Sequence, residues 1–298
     1  MSSTLRICPI EESERPAAAA FARAAAWRYE HFDYSAQETY AQPGYRALDR
    51  PGRTVGILGC ALDRPPVASL VYAAVDGRQR PTEVIQRLLE PHLADLRRAG
   101  VAELTFVGLA PWLARCLEGA GFVTRTTVIS YQWTGGEDLP EGNAGVRLRR
   151  ATPLDLEDLV ALDRLAFEPM WRYSPRLHRR LYERAACMLV ADVDGRAVGY
   201  QAGSFVCGQG QIIRLAVHPD WRGQGIGTRL LREALRFFRA RGVSFVTLNT
   251  QADTWIARRL YQRMGFVPMD EEVPAMTRTL DGNPERRPLT AGRLIAES

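Results

Sequence analysis

Along the second half of the chain, apolar positions switch between two spacings. "GVRLRRAT" (145–152) alternates apolar and polar residues as a strand does, and "PLDLEDLVALDRLAF" then takes the three-to-four spacing of a helix. Thr152 is placed as N-cap of that helix, with Pro153 at its first position and acids following. "SPRLHRRLYERA" (174–185) predicts a second helix. "MLVADVDGRAVGYQAGSFVCGQGQIIRLAVHP" predicts three strands, turning at Asp194-Gly195 and across 208–210. A helix is expected over 226–241, with apolar residues at 226, 230, 231, 234, 235, 237 and 238. "VSFVTLNT" predicts a strand, "DTWIARRLYQRM" a helix, and 266–280 a closing strand. Strands and helices interleaved in this way predict an α/β layer fold, α+β with a mixed sheet.

The first half repeats the pattern. A shift of 142 residues, without a gap, aligns "YAAVDGRQRPTEVIQRLLEPHLADLRRAGV" (72–101) with "RLAVHPDWRGQGIGTRLLREALRFFRARGV" (214–243). Ala74/Ala216, Val75/Val217, Arg80/Arg222, Arg87/Arg229, Leu88/Leu230, Leu89/Leu231 and Gly100/Gly242 coincide. "LARCLEGAGF" (113–122) parallels "IARRLYQRMGF" (256–266), with Leu117 opposite Tyr261. An ungapped strand–loop–helix–turn register favours duplication over chance. The expected division is a domain over 1–135, a Gly- and Pro-rich linker over 136–145, a second domain over 146–280, and a polar, loosely held tail over 281–298.

Composition narrows the chemistry. The chain has no lysine, so all 39 basic residues are arginine. That excludes Walker-type NTPases, protein kinases and Schiff-base enzymes, each of which needs a lysine amine. Residues 141–298 carry 24 Arg against 18 acids, whereas 1–140 carry 15 against 16. A basic second half suits a polyanionic ligand or simply a solvated surface. No dense basic run interleaved with aromatics supports nucleic-acid binding. Five scattered cysteines, without a C-x-x-C pair or His cluster, indicate neither a disulfide framework nor a metal site. The N-terminus shows no basic-then-apolar leader, and no apolar run approaches the ~18–20 residues of a membrane span. The expectation is a cytoplasmic protein with reduced thiols and no membrane partner.

Between strand and helix lies "RGQGIGT" (222–228). It is not a dinucleotide fingerprint, because Gly223-x-Gly225 is followed by Thr228 where a glycine is required. What remains is a nest of backbone N–H groups at a helix N-terminus, which suits a pyrophosphate. In the first half Pro81, Glu83 and Ile85 replace Gly223, Gly225 and Gly227. Proline has no N–H, glutamate repels phosphate, and a β-branched residue resists glycine's conformations.

The stretch "RLAVHPDWRGQGIGTRLL" resembles the acyl-CoA-binding motif of the GNAT acyltransferase superfamily, Q/R-x-x-G-x-G/A, filled by Arg222, Gly225 and Gly227. "NTQADTWIARRLYQRMGF" (249–266) resembles that family's closing pattern. The resemblance covers about 145–280 and implies two tandem GNAT-like acyltransferase domains, the first a degenerate copy without the loop. It further implies acetyl-CoA as cosubstrate, no metal, and direct acetyl transfer to a primary amine on a small molecule or peptide N-terminus.

Residue by residue, the resemblance places the cofactor on Leu215, Ala216 and Val217, with the Val217 N–H toward the thioester carbonyl. The pyrophosphate falls on the amides of Arg222, Gly223, Gln224, Gly225, Ile226, Gly227 and Thr228, and Thr254 stands where many relatives carry an asparagine. Tyr261 matches the tyrosine that protonates the departing thiolate. Asn249 stands near a position where some relatives have a glutamate base. Glu168 is therefore the candidate base, with Asp163 or a water chain as alternatives. Trp171, Tyr173 and Tyr200 are either acceptor-pocket residues or core. The missing glutamate leaves a second function open, a non-catalytic acyl-CoA sensor. Homodimer formation is also open.

Overall fold

In the computed structural model, which describes residues 5–136, 138–206 and 208–280, alternating segments become strands and three-to-four-spaced segments become helices. The expected tail over 281–298 lies outside the described residues, as does Cys207. The first half runs β1 (Arg6–Pro9), α1 (Arg15–Ala24), β2 (Trp27–Glu30), α2 (Ala36–Ala41), β3 (Gly44–Leu48), β4 (Thr54–Arg64), β5 (Val67–Val75), α3 (Pro81–Arg98), β6 (Glu103–Val107), α4 (Pro111–Glu118) and β7 (Val123–Trp133). The second runs β8 (Arg147–Arg150), α5 (Leu156–Ala166), α6 (Pro175–Arg184), β9 (Cys187–Val193), β10 (Arg196–Val206), β11 (Gln209–Val217), α7 (Ile226–Arg239), β12 (Phe245–Gln251), α8 (Trp255–Arg263) and β13 (Val267–Thr279).

The compact units do not follow the linear division at 135 and 146. One unit holds described residues 5–126 and 273–280, the other 127–272. In the first, β1, β3, β4 and β5 pair antiparallel in that order, β6 joins β5 in parallel, and residues 275–279 of β13 pair antiparallel with β6. In the second, β8, β9, β10 and β11 pair antiparallel, β12 joins β11 in parallel, and residues 128–133 of β7 pair antiparallel with β12. Each half thus takes its closing strand from the other half's sequence. The parallel pair in each unit is joined through a helix, as a parallel connection requires.

The expected linker belongs to the second unit. Leu139 packs on its core, Arg239 donates to the Gly136 carbonyl at 3.1 Å, and the Asn143 N–H donates to the Gly225 carbonyl at 3.2 Å. The apolar stripe of α7 is buried at Ile226, Leu230, Leu231, Ala234, Leu235 and Phe238. Phe237 lies at its rim, under the Arg241 guanidinium at 3.6 Å.

α5 opens through a 3₁₀ turn over Pro153–Asp155. The Asp155 carboxylate accepts the Thr152 N–H at 2.7 Å and hydroxyl at 2.8 Å, and the Arg149 guanidinium at 2.6 and 2.9 Å. The Arg149 hydrogen bonds hold the carboxyl down at about 2. A lowered pKa adds stability that is present above the ordinary carboxylate value and lost as pH falls through about 2. Asp155→Ala is expected to lower the unfolding free energy by about 1–2 kcal/mol in urea titrations at neutral pH. The difference from wild type should shrink as the pH approaches 2. A pH-independent difference would contradict the charge-based account.

Candidate functional site

The site begins at a break in pairing. β11 and β12 are in register only from Gln209↔Phe245 to Ile212↔Leu248. Next comes a bulge, in which Ala202↔Arg214 is followed by Gly203↔Ile212 and Ile213 is the extra residue. Beyond it β11 stays paired with β10 to Gly199↔Val217 but, among the described residues, has no partner on its other edge. The His218 N–H donates to the Val198 carbonyl at 2.9 Å. By antiparallel parity the backbone groups of Ala216 and Arg214 then face β10, and the N–H groups of Leu215 and Val217 face the open notch.

At the end of that strand the chain turns through Pro219–Trp221 into the glycine loop. Gly223 and Gly225 have φ of +75° and +78°, values that L side chains rarely adopt, and α7 starts at Ile226. Among the described residues, the N–H groups of residues 223–228 meet no protein acceptor. Six donors without a protein acceptor there therefore lie at the positive end of a helix dipole. A Cβ on Gly227 would lie 3.3 Å from the Leu260 side chain and 3.7 Å from that of Val217, so this glycine lets α7 and α8 approach the strand end.

Arg222 departs from expectation. Its N–H donates to the Pro219 carbonyl at 3.1 Å, and its guanidinium donates to the carbonyls of Val217 (3.4 Å) and Ala166 (3.0 Å). It braces the loop against the end of α5, and its amide is not one of the free donors. The turn just before the loop is alike in both units: the Arg78 and Gln79 N–H groups donate to the Asp76 carboxylate (2.8 Å) and carbonyl (3.0 Å), as those of Asp220 and Trp221 do to His218 Nδ1 (3.3 Å) and carbonyl (2.9 Å). The units differ after it, because α3 starts already at Pro81, the counterpart of Gly223, and its Val84 N–H donates to the Arg80 carbonyl at 3.3 Å.

Tyr261 lies on α8 beside Leu260, 7% exposed, with its ring 6.1 Å from Tyr131 and 6.0 Å from Phe266. Burial pushes its phenol up to about 12, against the opposing Arg214 charge. The Thr254 hydroxyl donates back to the Gln251 carbonyl at 2.7 Å and lies 2.9 Å from the Thr250 hydroxyl. The Asn249 Oδ1 accepts the Ser130 hydroxyl at 3.1 Å.

On the α5 face, Arg214 carries a network that the sequence did not disclose. Its guanidinium donates to both Asp163 oxygens (2.7 and 2.8 Å) and to the Trp171 carbonyl (2.7 Å). It lies between the rings of Phe167 (3.6 Å) and Tyr173 (4.2 Å). Asp163 also accepts the Tyr173 N–H (3.0 Å) and the Tyr200 hydroxyl (2.8 Å), and His178 Nε2 lies 3.1 Å from that hydroxyl.

Two expectations are corrected here. Tyr200 is fully buried and lines no acceptor pocket, and burial, then the Asp163 charge, pushes its phenol well above the ordinary value. Asp163 is no base. Burial works to raise its carboxyl, but the His178 hydrogen bond and the Arg214 charge outweigh it and hold the group below the usual range. Glu168 is exposed at the head of the 3₁₀ turn Pro169–Trp171, and Trp171 and Tyr173 are part-buried on the same segment. Strict alternation puts Arg214 and Ile212 on the same face of β11. The Ile213 bulge separates them, and neither bulge nor network has a local sequence signal.

Among the described residues no cluster of His, Cys, Asp and Glu could hold a metal, and no helix is long and apolar enough to cross a membrane. The model of the acetyltransferase (GNAT) family matches residues 156–266. An uncharacterised N-acetyltransferase of Methanocaldococcus jannaschii is 36% identical over 121 residues, which cover 40% of this chain and 76% of that protein. Mycothiol acetyltransferase of Clavibacter michiganensis subsp. michiganensis is 34% identical over 131 residues, 41% of this chain but only 43% of that protein. A solved tandem GNAT protein from the clavulanic acid biosynthesis pathway has the same fold, with a TM-score of 0.59 at 16% identity, over 94% of this chain and 100% of that one.

Proposed function

The chain belongs to the GNAT acetyltransferase family, and on that premise we propose that residues 127–272 bind acetyl-CoA and pass its acetyl group to a primary amine on a small molecule or peptide N-terminus. The observation that carries this reading is the run of six amides over 223–228 that meet no acceptor among the described residues, next to a strand edge that has no partner among them. The residues fit the ligand. Helix-terminal donors match a pyrophosphate, and the bare Cα of Gly225 lets the loop rest against the Asn143 backbone, whose nitrogen a Cβ would approach to 3.1 Å.

Acetyl-CoA supplies the activated thioester, and the chain supplies position and proton transfer. The Val217 N–H, facing the notch, is suited to hold the carbonyl oxygen as it gains charge. When the amine nitrogen bonds the carbonyl carbon and the C–S bond breaks, Tyr261 gives its phenolic proton to the sulfur. The amine's surplus proton passes to a base, for which Glu168 on the exposed rim is the proposed group. The first unit is assigned no cofactor role. Its helix starts three residues earlier, at Pro81, which offers no N–H, the Val84 N–H already donates to the Arg80 carbonyl, and Leu117 stands where the acid would be.

Titration calorimetry should show one acetyl-CoA per chain, and CoA thiol release should appear with at least one member of an amine and peptide panel. Two sites would remove the distinction between the units, and no binding would overturn the reading. Binding without turnover across the panel would favour the sensor function.

A further inference from the structure

The two units share the bulge but treat the strand edge beyond it differently. In the first unit Gly59↔Tyr72 is followed by Cys60↔Leu70, so Val71 is the extra residue, as Ile213 is in the second. Beyond Ser69↔Thr105, β5 leaves β6 just as β11 leaves β12 beyond Ile212↔Leu248. In the first unit, however, the edge is not open. β2 pairs antiparallel with β5 from Trp27↔Val75 to Glu30↔Tyr72 and covers the four residues that correspond to 214–217. β2 belongs to the segment joining α1 to α2, and its counterpart is the segment joining α5 to α6. In the second unit that segment is the 3₁₀ turn Pro169–Trp171, which does not pair with β11.

The residues beneath the segment differ in kind. Arg214 corresponds to Tyr72, and Asp163, the buried polar residue in the last turn of α5, corresponds to Ala22 in the last turn of α1. Ala22 and Tyr72 sit together in an apolar cluster. Asp163 and Arg214 form a bidentate ion pair whose free guanidinium donor holds the Trp171 carbonyl at 2.7 Å. A fork fixed on both sides by carboxylate and carbonyl, and stacked between two rings, is rigid in a way a lysine could not reproduce. Pro169 acts in the same direction, since it has no N–H to give a ladder.

We infer that Arg214, locked by Asp163, is a positioning residue that holds the 168–173 segment off the β11 edge and so keeps the acyl-CoA notch open. Where the pair is absent, in the first unit, the equivalent segment closes onto the strand. This inference rests on the proposed acetyl-CoA site, and its test separates the two. Asp163→Ala/Arg214→Tyr gives the second unit the first unit's pair. In wild type without ligand, the Leu215 and Val217 amides should exchange with deuterium quickly, and acetyl-CoA should slow them. In the double variant they should be slow without ligand, and the acetyl-CoA Kd should rise about tenfold if the closed form takes about nine-tenths of the population.

Asp163→Asn, nearly isosteric, should move both readouts the same way by a smaller factor, and so should Arg214→Lys, which keeps the charge but not the fork. Far-UV circular dichroism and Tm establish that each variant is folded, and where the double variant is not, Asp163→Asn decides. Wild-type protein that fails to bind acetyl-CoA overturns the proposed function. Wild-type binding with unchanged Kd and unchanged exchange at residues 215 and 217 in the folded variants overturns the clamp. A lower Tm alone, with both readouts unmoved, would reduce the pair to a stabilising contact.

Discussion

Gly225→Glu should abolish measurable acetyl-CoA binding while leaving the protein folded. Three effects add in one direction. The φ of +78° penalises any L side chain by roughly 1–2 kcal/mol. The new Cβ would lie 3.1 Å from the Asn143 nitrogen and 3.4 Å from the Gly142 carbonyl carbon, so the residues that brace the loop must shift. The carboxylate also brings a charge of the pyrophosphate's own sign next to the loop, and charges of the same sign repel. A Kd raised at least ~100-fold, about 2.8 kcal/mol, is expected by calorimetry. Gly223→Ala is the matched control. Its φ is also positive, at +75°, but its Cβ would meet nothing within 4 Å, so the loss should be distinctly smaller. Equal losses in the two variants would mean that backbone strain alone governs the loop, and an unchanged Kd in folded Gly225→Glu would remove the loop from the site.

Tyr261→Phe should leave acetyl-CoA affinity about where it is and lower kcat by roughly 10²–10⁴, the usual contribution of a positioned acid. The ring sits in an apolar environment beside Tyr131 and Phe266, which the phenylalanine preserves, so the change isolates the hydroxyl. Burial puts the phenol at about 12, above its ordinary value. An acid acts while protonated, so its contribution should persist through the alkaline range and disappear only as the pH rises through about 12. A thioester whose departing thiol is strongly acidic needs no proton, so an aryl thioacetate should narrow the gap between variant and wild type. Full turnover of the variant with acetyl-CoA at every pH would assign the proton to another group.

How far the sequence alone reached depended on how local each signal was. The glycine loop was legible because its positive φ values and missing side chains restrict residue choice at those very positions. The repeat was legible because corresponding strands and helices keep one spacing: β5 and β11, or β6 and β12, start 142 residues apart. The Thr152 cap and the α7 stripe were legible for the same reason, since partners lie within one or two turns. Tyr200, in contrast, has the pattern of any half-buried strand residue. Only the arrival of Asp163 and His178 from α5 and α6 shows that its hydroxyl is engaged in the core.

The chain's own order of residues determined where the glycine loop lies and which half replaces its glycines with Pro81, Glu83 and Ile85. Those properties follow from backbone conformations and chemical groups fixed within a few residues. Tertiary structure alone decided that residues 275–279 close the first unit and 128–133 the second, because a strand's hydrogen bonds go to whichever edge reaches it and carry no address in the side chains. It likewise decided which notch stays open. β2 and the 169–171 segment are short and weakly patterned, and the difference between a covered edge and a free one depends on an Asp–Arg pair whose members lie 51 residues apart.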